Sequence, residues 1–352
     1  MPQYDSFLKV TGTATYAFDV ELPGMLHAKL VTSPQAHAKI VKIDTSKAEK
    51  VPGVVAVATG REFPYRLGIY VGDRDVLAVD KVRWVGHPVA AVIAETLEAA
   101  ERGIDQVEVE YESLPTVFDA VEALRPDAPI IHEKMKEYRV SPAFKPIPGT
   151  NIANQFKLVR GDVEQGLNES DVIVEGEFGI PHVSHGFMEL QSMVAHYKKD
   201  GNIEIWTSTQ SPFSTRYLMA LSLGIPIDKI VIKAPLCGGG FGGKVGIGWE
   251  PLVALLSKRA GCRPVKLVLS RKEQFSSAPV REGFHASVRA GSNKDGKMLA
   301  YKARFVMDAG GYADYTVNVC RAAGYSSEGC YEVPNIFCAS LAVYTNKGAT
   351  SA

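Results

Sequence analysis

The sequence predicts an α+β chain of two domains, and three observations carry that expectation. Short apolar or alternating runs read as strands, among them Val54-Val55-Ala56-Val57 and Pro88-Val89-Ala90-Ala91-Val92-Ile93-Ala94. Helical patterns lie among these runs, over 97–104, 217–223 and 250–259. Between two such groups, Pro126, Pro129, Pro142, Pro146 and Pro148 punctuate a stretch with little periodicity. The expected boundaries are a first domain over 1–125, a connecting segment over 126–150 and a second domain over 151–352. A length of 352 residues with 46% apolar and 22% charged composition fits a globular chain of that size.

The first domain reads as a small α/β unit. Residues 24–31 alternate as a strand that stops at Ser33-Pro34, and 39–43 form another. Asp44, Thr45 and Ser46 offer N-caps to a short helix over 47–50, because their short side chains accept hydrogen bonds from bare backbone N–H groups. Pro52-Gly53 turns the chain into the strand at 54–57. After the strand at 87–94, Thr96 is placed to cap a helix over 97–104. Residues 106–112 alternate, with Val107, Val109 and Tyr111 on one face and Glu108, Glu110 and Glu112 on a solvated one.

In the second domain Asp162 is the expected cap of a short helix before a strand at 172–178. Strands follow at 202–206 and 264–269, and 230–236 reads as a buried strand. Residues 285–290 and 298–308 form a hairpin across the turn Ser292-Asn293-Lys294-Asp295-Gly296.

Composition excludes several functions. The 39 basic and 39 acidic residues balance, so nothing favours nucleic acid or an anionic membrane surface. No apolar run reaches the ~18 residues of a spanning helix, and the N-terminus lacks the charged and apolar regions of a signal peptide. Five cysteines without C-x-x-C spacing argue against a disulfide framework, a zinc site or an iron–sulfur centre in this chain, and a cytoplasmic setting is the default. His27, His37 and His87 lie in separate elements, while His182 and His185 would point to opposite faces of a strand.

The segment with most chemistry is Cys237-Gly238-Gly239-Gly240-Phe241-Gly242-Gly243-Lys244, with five glycines in the seven positions after the cysteine. Glycine lets a backbone turn through positive φ and approach another group closely, at roughly 0.5–1 kcal/mol of chain entropy each. Gly238 to Lys244 nearly spells a P-loop, but Val245 stands where a Mg²⁺-binding hydroxyl is needed. Gly238, Gly240 and Gly243 also spell G-x-G-x-x-G, and Arg271 could suit a 2′-phosphate. Gly246 and Gly248, however, delay the helix that should cap a pyrophosphate. These patterns leave the loop open between a nucleotide and another glycine-cradled cofactor.

The loop, the preceding Trp206-Thr207-Ser208-Thr209-Gln210 and matches along nearly the whole chain resemble the molybdenum-binding subunit of the xanthine oxidase family of molybdenum hydroxylases. Stretches 10–19, 54–57 and 85–91 resemble that family's N-terminal α/β hammerhead domain, a structural and interface module. The rest then resembles the first part of the molybdenum-cofactor-binding domain, and the resemblance implies that 126–150 wraps in an ordered way and that 271–275 forms a turn. It implies that Gln210 donates its side-chain amide to an oxo ligand of the metal, a neutral donor that does not protonate it. It places Gly239, Gly240, Phe241 and Gly242 in the loop that approaches the metal centre and the substrate.

His185-Gly186-Phe187-Met188-Glu189 is similar to the family's H-x-x-x-E-P segment, with Leu190 for the usual Pro. Glu189 is thereby a pocket candidate bonded to cofactor-binding backbone, or a carboxylate satisfied by local N–H groups. Val245 replaces the Glu with which purine-oxidising members bind their substrate, which favours an aldehyde or a less polar N-heteroaromatic. Arg321 falls near an arginine that purine oxidisers use on the substrate.

The family's remaining domain opens with an R-G-F-G or cysteine-bearing loop and carries most pterin contacts and a glutamate base. The resemblance implies that a second molybdopterin-binding chain or domain supplies them, and that this chain alone is no enzyme. It further implies electron transfer to iron–sulfur and FAD subunits. The readings from other classes are a nucleotide-binding protein using 238–243 and a non-catalytic split subunit or fragment.

Overall fold

The computed structural model describes residues 5–351, and its contacts group them into two compact units. The first unit comprises the chain up to Ile69, Asp75–Leu114 and His185–Ala278; the second comprises Tyr70–Arg74, Pro115–Ser184 and the chain from Pro279 onward. Each unit is thus discontinuous in sequence. Among the described residues no helix is long and apolar enough to cross a membrane.

A seven-stranded sheet organises the first unit, in the order Ile230–Lys233, Ile203–Thr207, Ser192–Tyr197, Val265–Val268, Leu26–Thr32, Pro88–Ala94, Val54–Thr59. Leu26–Thr32 pairs parallel with Val265–Val268, with Leu26 opposite Val265, so early and late parts of the chain share one sheet. Pro88–Ala94 is buried at all seven positions, which explains its unbroken apolar run: a central strand covered on both faces has no solvent side to mark. Leu26, Leu30, Ile93, Met193, Ile203, Ile205, Leu218, Leu252 and Leu267 form one core with it. Each such side chain contributes ~1.5–3 kcal/mol by leaving water.

Local chemistry fixes several ends. Thr96 accepts from the Ala99 N–H at 3.2 Å and caps Leu97–Ile104 as expected. In the strand Glu108–Ser113, Val109 and Tyr111 are half-buried while Glu108, Glu110 and Glu112 are exposed, matching the alternation. The helix Pro212–Leu223 begins before the expected 217, with Pro at its first position where the missing N–H is harmless, and ends at Gly224 with φ 65°.

Three expectations fail. The short helix after Asp44-Thr45-Ser46 is Ala48–Lys50, which starts from Lys47 with no side-chain cap. The run at 230–236 is an edge strand of only four residues, Ile230–Lys233, paired among the described strands with Ile203–Thr207 alone; Val231 is exposed and only Ile230 and Ile232 face inward. The stretch 271–275 lies in a helix, Arg271–Ser277, started by a reciprocal capping box between Ser270 and Glu273.

The second unit holds a five-stranded sheet, ordered Val172–Ile180, Gly283–Ser292, Met298–Gly310, Asn335–Tyr344, Ile152–Arg160. The hairpin expected across Gly296 is present, Ser287 standing opposite Arg304. Asp162 caps its helix by accepting from Glu164 and Gln165 N–H groups, both at 3.1 Å. The proline-punctuated segment is ordered: Ile131, Met135 and Phe144 enter this unit's core, and buried His132 bonds the Tyr138 hydroxyl at 2.7 Å and the Gly311 carbonyl at 2.8 Å.

Candidate active site

The strand Ile203–Thr207 delivers Ser208, Thr209 and Gln210 to the end of the sheet just before the helix at Pro212. Its neighbour Ile230–Lys233 leads into the glycine loop. Side chain and loop then lock together. The Gln210 backbone N–H donates to the Lys244 carbonyl at 2.9 Å. Its side-chain Oε1 accepts from the Gly242 N–H at 3.0 Å and the Lys244 N–H at 3.2 Å. Because only the amide oxygen can accept, these two bonds fix the orientation of the group. The Nε2 hydrogens are turned away from the loop; Gln210 is exposed, and no described residue accepts from Nε2.

Each loop glycine has a spatial reason. A Cβ on Gly240 would lie 2.4 Å from Gln210 Oε1, one on Gly238 2.6 Å from Glu189 Cβ, and one on Gly243 2.7 Å from His185 Nδ1. Gly239 and Gly242 turn the chain at φ 99° and 101°. Between them Phe241 is held at φ 50°, a left-handed conformation that costs a non-glycine residue about 1–3 kcal/mol, and its ring is 71% exposed. A strained backbone that presents an apolar ring to solvent marks a surface built for a partner or ligand.

Beneath the loop lies an ion pair. Lys244 Nζ donates to Glu189 Oε2 at 2.9 Å, to the Glu189 carbonyl at 3.0 Å and to Ser208 Oγ at 2.7 Å. Glu189 Oε2 also accepts from Ser208 Oγ at 2.5 Å and from the Gly238 N–H at 2.7 Å. Lys244 and Glu189 side chains are 1% and 8% exposed. Glu189 is therefore a carboxylate bonded to loop backbone from below. Val245 is half-buried at the loop's end, its N–H donating to the Gly242 carbonyl at 3.2 Å. Arg321 belongs to the other unit, exposed on the helix Thr316–Tyr325.

Sequence reasoning passed over three supports. Lys244 was legible only as the last letter of a motif. Gln191 Nε2 donates to the Gly243 carbonyl at 3.1 Å. Arg271, a phosphate candidate in the sequence, spends its guanidinium on the Phe187 and Met188 carbonyls at 2.8 and 2.9 Å.

The donor set tests what the loop can hold. A nucleotide phosphate wants the motif lysine and a helix N-terminus. Here Lys244 is turned inward, and the helix Glu250–Arg259 starts under its own carboxylate, Glu250 Oε2 accepting from the Gly248 N–H at 2.7 Å. What faces outward is the neutral Gln210 amide and the Phe241 ring, while the N–H groups of Gly239, Gly240 and Phe241 donate to no described residue. Neutral donors with an apolar wall fit the oxo-bearing edge of a molybdenum–pterin group.

Comparison with known proteins identifies the family. Residues 144–352 match the family model of the molybdopterin cofactor-binding domain, and 11–115 match that of the aldehyde oxidase and xanthine dehydrogenase a/b hammerhead domain. The chain is 36% identical to a probable xanthine dehydrogenase subunit of Bacillus subtilis over 97% of its own length and 44% of that protein's. It is 34% identical to the nicotinate dehydrogenase large molybdopterin subunit of Eubacterium barkeri over 99% of its own length and 79% of that subunit's. Among solved structures, quinoline 2-oxidoreductase from Pseudomonas putida superposes with a TM-score of 0.87 at 31% identity, over all of this chain and 45% of that one. CO dehydrogenase from Oligotropha carboxidovorans gives 0.89 at 30% identity, again over all of this chain and 45% of that one.

Proposed function

Since this chain belongs to the xanthine oxidase family of molybdenum hydroxylases, we propose that it is the molybdopterin-binding part of an enzyme that hydroxylates an N-heteroaromatic or aldehyde carbon. In such a reaction one C–H bond becomes C–OH, the oxygen comes from water, and two electrons and two protons leave. Molybdopterin, when bound, supplies the two-electron redox centre for that exchange. The chain's own residues bind and orient. Gln210 offers Nε2 as a neutral donor, able to stabilise a developing oxygen charge without giving up its proton. Phe241 supplies an apolar wall for a flat substrate, and the glycines bring backbone N–H groups close.

The single observation that carries this reading is the locked Gln210 amide, aimed outward by the Gly242 and Lys244 N–H groups. Val245, whose apolar side chain offers a purine no carboxylate, and the nicotinate and quinoline enzymes among the relatives support this substrate class, beside a probable xanthine dehydrogenase subunit among the same relatives. A glutamate base and most of the pterin contacts are assigned to a second molybdopterin-binding chain or domain. Iron–sulfur and FAD subunits take the electrons, and the assembly is cytoplasmic.

The test is metal and cofactor analysis of the complex purified after co-expression with its partner subunits. Molybdenum and a pterin, released as a fluorescent oxidised product, are expected. Bound NAD or ATP without molybdenum would overturn the reading.

A further inference from the structure

We propose that Lys244 is a positioning residue: its buried ammonium, through Glu189, ties the two ends of the glycine loop together and thereby aims the Gln210 amide. The inference rests on the function proposed above for Gln210, and its geometry stands independently of that function. Lys244 meets Gln210 three times through its backbone or a shared neighbour. Its N–H donates to Gln210 Oε1 at 3.2 Å, its carbonyl accepts from the Gln210 N–H at 2.9 Å, and the same carbonyl accepts from Thr209 Oγ1 at 3.3 Å. The side chain runs the other way, under the loop. Nζ reaches Glu189 Oε2, the Glu189 carbonyl and Ser208 Oγ, which satisfies all three of its donors, and lies 4.5 Å from the centre of the Phe187 ring.

Glu189 then holds the opposite end. Its Oε2 accepts from the Gly238 N–H at 2.7 Å, and its own N–H donates to the Gly238 carbonyl at 3.2 Å. Gly238 and Lys244 are thus fixed to a common point, and the strained turn through Phe241 is spanned between them. The remaining carboxylate oxygen, Oε1, is buried with no hydrogen-bond partner among the described residues. Removing the ammonium would leave a buried carboxylate with no paired charge, held only by the Ser208 hydroxyl and the Gly238 N–H on Oε2, and its shift toward water would take Gly238 with it. The loop would relax at both ends. A purely space-filling lysine would predict none of this coupling.

The experiment uses the assembled complex with three variants, Lys244→Met, Lys244→Arg and Glu189→Gln. Backbone hydrogen exchange across 238–244 and steady-state kinetics are measured on the same preparations. With Lys244→Met, exchange in the loop is expected to rise by about tenfold or more as local opening becomes easier. A displacement of about 1 Å in a positioned group costs up to ~10²-fold, so kcat should fall by about 10- to 100-fold while KM stays within about twofold. Lys244→Arg, which keeps the charge, should recover most of the loop protection. Glu189→Gln, which keeps the shape should the methionine variant not fold, should loosen Gly238 and Gly242 together. Loop exchange unchanged in both Lys244→Met and Glu189→Gln would overturn the proposal, as would loosened exchange with wild-type kcat. Absence of molybdenum from the wild-type complex would instead overturn the function, leaving the exchange result to judge the brace.

Discussion

Gly240→Ala isolates the contact between the glycine loop and the Gln210 amide. Gly240 lies outside the left-handed region, so alanine meets no backbone strain there, and its whole effect comes from what the methyl touches. That methyl would sit 2.4 Å from Gln210 Oε1, 2.5 Å from Cδ and 2.8 Å from Cγ, where ordinary contact begins at 3.4 Å. The amide must therefore retreat by about 1 Å, which breaks its bonds from the Gly242 and Lys244 N–H groups. Two neutral hydrogen bonds are worth ~0.5–1.5 kcal/mol each, and water replaces them at this exposed site, so the loss of stability should be about 1 kcal/mol. Turnover should suffer far more, by ~10²-fold, because the amide hydrogens no longer point at a fixed place. The assay is kcat of the purified complex beside its denaturation midpoint, with Gly179→Ala as control, whose methyl finds its nearest neighbour at 3.9 Å. The double variant Gly240→Ala/Gln210→Ala removes the clash and should turn over no more slowly than Gln210→Ala alone. Wild-type turnover in Gly240→Ala, or losses that multiply in the double variant, would refute the coupling.

Gln210→Ala should itself lower kcat by ~10²-fold or more, the scale of a lost oxyanion-type donor, while molybdenum and pterin content change less; wild-type turnover would make Gln210 a mere surface residue. In the second unit, burial pushes the Asp73 carboxyl up to about 7, although the Ala313 N–H at 2.7 Å and the Tyr344 hydroxyl at 2.8 Å oppose the shift. Its folded pKa is raised above the unfolded value, so its contribution to stability is full below pH ~4 and is lost as pH rises through ~7, at up to ~1.4 kcal/mol per pH unit. Asp73→Asn should flatten this dependence between pH ~4 and ~7, and an equal change of denaturation midpoint with pH in both proteins across that range would count against it.

Much of the local structure was legible because short-range chemistry set it. Thr96 and Asp162 cap their helices, and Glu250–Arg259 starts and stops as its pattern says. What was not legible depended on partners distant in sequence. The apolar look of 230–236 could not say that it lies at an edge, since that follows from which strand pairs with Ile203–Thr207 and which does not. Likewise the pairing of Leu26–Thr32 with Val265–Val268 brings together segments more than two hundred residues apart, and no local pattern encodes a partner. At the site, Gln210 and the glycines came from a resemblance in motif. The inward turn of Lys244 did not, because a lysine after glycines reads the same whether its ammonium faces a phosphate or a buried carboxylate.

That last ambiguity resolves in what the absent β-carbons make room for. In a phosphate-binding loop, glycines clear space on the ligand side so that the backbone can approach the anion. Here Gly238, Gly240 and Gly243 clear space on the protein side, for Glu189, Gln210 and His185. The loop is thereby pressed onto its own supporting residues, and the N–H groups of Gly238, Gly242 and Lys244 are consumed there. The charges are paired beneath it, so a highly anionic ligand would gain no ammonium. The next helix start gives such a ligand no free N–H at Gly248, which is already taken by the Glu250 carboxylate. A group that needs neutral donors and an apolar neighbour meets what the loop leaves exposed. The G-x-G-x-x-G spacing is shared with nucleotide sites because both need a backbone without side chains; the direction in which those side chains are missing separates the two.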